Sequence, residues 1–187
     1  MRKGLIILGA ILLIIFLSIS GFAGAYNNLV TAEEDVNGKW AQVENQLQRR
    51  LDLIPNLVET VKGYAAHEKE TFTLVTEARA KAAGAVSIKE KAQANSELSN
   101  ALSRLMLVVE RYPDLKANQN FIRLQDELAG TENRIAVARK DYNESVQRFN
   151  TFIKRFPNNI IAGIFNFEKQ EYFEAEENAK NAPKVKF

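Results

Sequence analysis

The side chains able to do chemistry are few, and their spacing excludes most of what they could do. There is no cysteine, so thiol nucleophiles, disulfides and thiolate-held zinc are impossible. The single histidine, His67, is followed by Glu68. A helical His-Glu zinc site needs a second imidazole four residues on, so that both grip the metal from one face. Position 71 is Thr71. A carboxylate di-metal site in a bundle needs histidines three residues after two of its glutamates. Glutamates are plentiful, but no Glu-x-x-His pair occurs. The glycine signatures of dinucleotide, P-loop and nucleophile-elbow sites are also missing. The expectation is a protein that is not an enzyme and holds no cofactor and no metal.

Two local features fall outside that exclusion. In QLQRRLDLIPNLV, Arg49, Arg50 and Asp52 set charge beside a dense apolar run. Arginines ending a helix serve its last carbonyls and suit its dipole, which is the preferred reading; a docking surface is the sharper one. Trp40 lies on an apolar stripe, where a lone tryptophan reads first as core and second as a binding anchor. Trp40, Arg49, Arg50 and Asp52 together are the candidate interaction surface.

The elements that must position these residues begin with an apolar run. After the short N-terminus 1–4, residues 5–25 carry no charge, and only Ser18 and Ser20 are polar. At about 1.5 Å per residue such a helix spans roughly 30 Å, the thickness of a hydrocarbon core. It has no polar face, which argues against an amphipathic surface helix. The expectation is a retained transmembrane helix. The alternative is a signal peptide cleaved at the small-x-small end Ala23-Gly24-Ala25, although the run exceeds the usual apolar region of about 7–15 residues. Arg2 and Lys3 precede the run and Glu33, Glu34 and Asp35 follow it. This places the N-terminus in the cytoplasm and the rest of the chain outside the plasma membrane.

Charge has a place as well as a sum. The net charge is +2, from 25 basic and 23 acidic residues. Without Arg2 and Lys3 the basic count falls to 23 and balances the acids. A balanced domain lacks the net basic footprint that releases counterions from phosphates, so no nucleic-acid partner is expected. Local basic pairs such as Lys89 with Lys91 or Lys184 with Lys186 are interleaved with acids or lie in the tail.

Four prolines and nine glycines are few, which argues for a small number of long helices. Leu29, Val36, Trp40, Val43 and Leu47 form one helical face. The spacing then favours a break at Asp52 and Pro55, with Asp52 as N-cap, over a single kinked helix. A second helix carries Ile54, Leu57, Val61, Phe72 and Val75 to about Gly84. Ser87 with Glu90 predicts a capping box at the head of a third. Tyr112-Pro113 ends it, and Asp114 is the expected cap of a fourth, long helix running to Phe156-Pro157. The fold expected is all-α: a transmembrane helix, an antiparallel up-and-down four-helix bundle over 26–157, and a C-terminal tail, 158–187, packed on it. Seven of the eleven phenylalanines lie at or beyond Phe149, which is why the tail should pack and not trail.

The runs YNNLV, EEDVNGKWAQVENQLQRRLDLIPNLVETVKGYAAHE, Thr76-Glu77-Ala78-Arg79, ENRIAVARKDYNESVQRFNTFIKRFP and the closing Pro183-Lys184-Val185-Lys186-Phe187 resemble the LemA family of bacterial membrane proteins over essentially the whole chain. The resemblance implies a four-helix bundle on one membrane helix and a bacterial source. It brings no established biochemical activity. Some relatives act in membrane-organelle formation in magnetic bacteria, and others are linked to envelope proteases and stress. The function expected is a non-catalytic envelope scaffold or adaptor that forms homo-oligomers, with envelope proteins such as membrane proteases as partners. The alternatives are a lipid-binding or membrane-remodelling module and, less favoured, an enzyme subunit with a carboxylate metal site.

Overall fold

A computed structural model describes residues 2–174, without the side chains of 2–7 and 18. The closing Pro183–Phe187 motif, with Lys184 and Lys186, lies outside the described residues. Among those described there is no strand. The helices are α1 (Arg2–Lys62), α2 (Lys69–Gly84), α3 (Ile88–Val109), the short α4 (Pro113–Lys116), α5 (Gln119–Phe152) and α6 (Asn158–Phe165).

The chain divides into two compact units. One comprises the chain through Lys39 with Glu144–Glu171; the other comprises Trp40–Asn143 with the described residues from Tyr172. In the second unit four helices share one core. Leu51, Ile54, Leu57 and Val61 of α1 meet Phe72 and Val75 of α2, Leu98, Leu102 and Leu105 of α3, and Phe121 of α5. Polar pairs give the directions. On α1 and α2, Lys62 lies over Phe72 while Leu51 meets Arg79, so they run antiparallel. On α2 and α3, Lys81 pairs with Glu97 and Glu68 with Arg111, again antiparallel. Arg49 with Glu127 and Trp40 with Tyr142 set α5 antiparallel to α1. This is up-and-down topology with short connections.

The expected break at Pro55 is not there. α1 runs through it to Lys62, and the interruption comes at Gly63–Glu68, within the span read as the second helix. Proline cannot donate to the carbonyl four residues back, so the Leu51 carbonyl loses its helical partner. Leu51 is 7% exposed, and a buried carbonyl without a partner is costly. Arg79 of α2 replaces the missing amide: its Nε donates to the Leu51 carbonyl at 2.8 Å. The helix continues because a neighbour mends the one bond proline removes.

The capping box at α3 forms as its spacing predicts. Glu90 N donates to Ser87 Oγ at 3.2 Å and Ser87 N to Glu90 Oε2 at 3.0 Å. Those hydrogen bonds hold the Glu90 carboxyl below its usual range. The cap of the last long helix is not Asp114, which falls inside α4. Asn118 takes that role, its Oδ1 accepting from the amides of Asn120 and Phe121 at 2.9 and 3.0 Å.

Beyond α6, whose C-cap Asn166 adopts the left-handed conformation (φ 57°), the chain lies along α5 as a strap. Asn150 donates to the Gln170 carbonyl and accepts from its amide at 2.9 and 2.8 Å. Asn143 does the same for Phe173 at 3.1 and 2.9 Å. A side-chain amide offers the same donor and acceptor as a peptide group, so each asparagine imitates a strand neighbour. The two are seven residues apart, two turns of one helix face.

Candidate interaction surface

The structure scatters the four sequence candidates. Trp40 is half-buried, its ring 5.1 Å from Tyr142 and 6.0 Å from Phe173. Lys91 Nζ sits 6.0 Å above that ring. Asp52 is exposed and accepts from Gln48 Nε2 at 2.8 Å, one turn back on α1. It caps nothing, because the helix does not start there.

Arg49 and Arg50 are neighbours in sequence with opposite fates. Arg49 is exposed and pairs with Glu127, whose carboxylate also takes Arg134 at 3.1 Å. Arg50 is 5% exposed. Its Nη1 donates to Asn95 Oδ1 at 2.7 Å and meets Glu132 Oε2 at 2.8 Å, while Nη2 donates to Ser99 Oγ at 2.9 Å. Successive helical residues point about 100° apart, so one can face water and the next the bundle. Neither serves terminal carbonyls, since the helix does not end there, and Arg50 is not part of an exposed docking face.

This polar layer ties α1, α3 and α5 together. Burial pushes the Arg50 guanidinium below its ordinary value and the nearby Glu132 carboxylate opposes that. A planar fork with three acceptors offsets desolvation far better than a lone charge would. Arg139, over the Phe173 ring at 4.5 Å, is lowered by burial and again opposed by Glu132. Sequence reading missed Asn95, Ser99 and Glu132. The available signal was a polar residue, Asn95, at a core position of α3 one turn before Leu98.

Open grooves flank the layer. One of about 280 Å³ is lined by Glu44, Gln48, Lys91 and Asn95 among others. Another of about 430 Å³ is lined by Gln42, Gln46, Asn133, Arg134 and Asp141 among others. Gln46 Oε1 is buried and has no partner among the described residues. His67 lies exposed in the α1–α2 turn. Among the described residues no three His, Cys, Asp or Glu side chains gather as a metal site would require.

The fold and these contacts define a class: an all-helical bundle whose interior polar groups join helices, headed by a helix apolar and long enough to cross a membrane. The chain belongs to the LemA family, whose model matches residues 39–187. It is similar to magnetosome protein MamQ 2 of Paramagnetospirillum magneticum, 30% identical over 195 aligned positions that cover 88% of this chain and 72% of that one. MamQ of Magnetospirillum gryphiswaldense is 29% identical, with 79% and 64% covered. Protein LemA of Metamycoplasma hominis is 25% identical, with 83% and 72% covered.

Proposed function

We propose that this chain is a membrane-anchored, non-catalytic scaffold or adaptor of the bacterial envelope that associates with copies of itself. The observation that carries the reading is the head of α1. Between Leu8 and Phe22, ten large apolar side chains stand exposed. Covering each is worth about 1.5–3 kcal/mol, so ten left in water would cost roughly 15–30 kcal/mol. A whole domain is held folded by only about 5–15 kcal/mol. A bilayer removes that cost, and Arg2 and Lys3 then orient the N-terminus to the cytoplasm.

Retention of the helix is supported by packing. Cleavage after Ala25 would remove Phe22, whose ring is 6.0 Å from Phe165, and Ala25, which packs against the core of Leu29, Ile161 and Ala162. Anchoring confines copies to a plane and raises their effective concentration, so weak lateral contacts suffice for assembly. The balanced charge of the domain adds little repulsion between them. Envelope proteins such as membrane proteases would be the further partners of such an adaptor.

The mass of the detergent-extracted full chain tests self-association: oligomers are expected, and monomers alone at high concentration would overturn it. Protease accessibility on spheroplasts should cleave the bundle from outside; full protection there would reverse the orientation.

A further inference from the structure

The second unit covers most of its apolar side chains, with Val86, Leu107 and Val137 exposed singly, whereas the first leaves many open at the head of α1 and around α6. Around α6 the core cluster is small: Leu29 of α1 with Ile161 and Ala162 of α6, and Ala25, Tyr26, Phe152, Ile153 and Phe167 packed around them. Around that core Phe156, Ile160, Ile164 and Phe165 remain exposed, Phe156 at 81%. Ile160 and Ile164 are four residues apart and share a face of α6. α6 therefore buries one side on α1 and turns an apolar side outward.

The place of this face on the molecule says what covers it. Phe165 stacks on Tyr26 at 4.6 Å and lies 6.0 Å from Phe22. Phe22 and Tyr26 are successive turns of α1, one inside the last turn of the apolar run 5–25 and one just beyond it. α6 is thus held beside the level where the apolar run ends. Tyrosine and tryptophan concentrate at that level of a bilayer because their rings are apolar with a polar tip, which suits Tyr26. Lys154 and Arg155, exposed immediately before Phe156, add cations suited to headgroup phosphates.

We infer that α6 is a membrane foot: its outward face, Ile160 and Ile164, with Phe156 just before the helix and the open edge of Phe165, beds in the lipid interface at the outer end of the anchor. The inference rests on the anchor reading and adds a second contact to it. A lone helix fixes a point in the membrane and leaves tilt and rotation to its neighbours. An interfacial helix locked to it by Phe22 and Tyr26 would fix both. About 12 Å of helix lying in the interface would sink its apolar face roughly 5–10 Å toward the acyl boundary.

The absence of native cysteine makes the test direct. The full chain is reconstituted in phosphatidylethanolamine–phosphatidylglycerol vesicles as three single-cysteine variants, Ile164→Cys, Leu12→Cys and Val86→Cys. Each carries an environment-sensitive fluorophore, read against nitroxide lipids labelled shallow or deep and against aqueous iodide. The label at position 164 should be quenched about twofold or more by shallow nitroxide over deep. Position 12 should favour the deep nitroxide, and position 86, exposed between α2 and α3, should answer to iodide only. Iodide quenching at 164 with deep quenching at 12 overturns the foot and leaves the anchor standing. Shielding at 164 from both lipid and iodide means that a second copy covers the face, which also overturns it. Iodide quenching at 12 overturns the anchor, and the foot with it. Ile160→Cys repeats the measurement from the same face should the first variant fold poorly.

Discussion

Two apolar clusters of this protein are built to different ends. In the bundle, Leu57, Val61, Val75 and Leu105 are fully covered by side chains from four helices. Around α6, the buried Leu29, Ile161 and Ala162 are ringed by apolar side chains that stay open. The first core is complete in water. The second is left open among the described residues. The proposed membrane contact would cover that rim, whereas the bundle core needs no such cover.

The comparison breaks or sharpens first at its two extremes. Leu105→Ala should cost about 2–5 kcal/mol of bundle stability, the lost transfer energy plus a cavity. Ile164→Ala, at an exposed site, should cost less than about 0.5 kcal/mol. Urea unfolding of the full chain in detergent measures both, and similar losses would mean that the α6 rim is bundle core in disguise. A smaller contrast concerns neighbours. Arg50→Ala strands Asn95 and removes the partner of Glu132, and should cost about 2–4 kcal/mol. Arg49→Ala breaks only an exposed pair and should cost less than about 1 kcal/mol. Equal effects in the same unfolding measurement would mean the polar layer is not what joins α1, α3 and α5. The last contrast is the most diagnostic. Arg79→Ala should cost about 1–3 kcal/mol by orphaning the Leu51 carbonyl. The loss should shrink when Pro55→Ala is also present, because the restored amide takes over that carbonyl. Strict additivity would mean Arg79 does not mend the helix at Pro55.

How much was legible follows the range of each interaction. The capping box at Ser87 and Glu90 reads directly, because both partners lie within one turn. The core faces of α1, α3 and α5 read from their 3.6-residue period. The error at Pro55 has the opposite cause. Proline's cost is local and visible, whereas its remedy is an arginine 28 residues away. Arg50 escaped for a related reason. Sequence shows a charge beside an apolar run but not that Asn95, Ser99 and Glu132 would arrive from two other helices. No local pattern marks Asn143 and Asn150, and only the returning strap gives their amides backbone to pair with.

The sequence by itself determined the class of the protein: long helices, no thiol chemistry, one apolar run of membrane length and a charge balance broken only by Arg2 and Lys3. Each of these depends on composition or on spacing within a few residues. Tertiary structure alone decided which charges are buried, where helices continue, and that α6 lies against the end of the apolar run with its outer face open. Those outcomes depend on groups far apart in the chain, whose meeting no local pattern records.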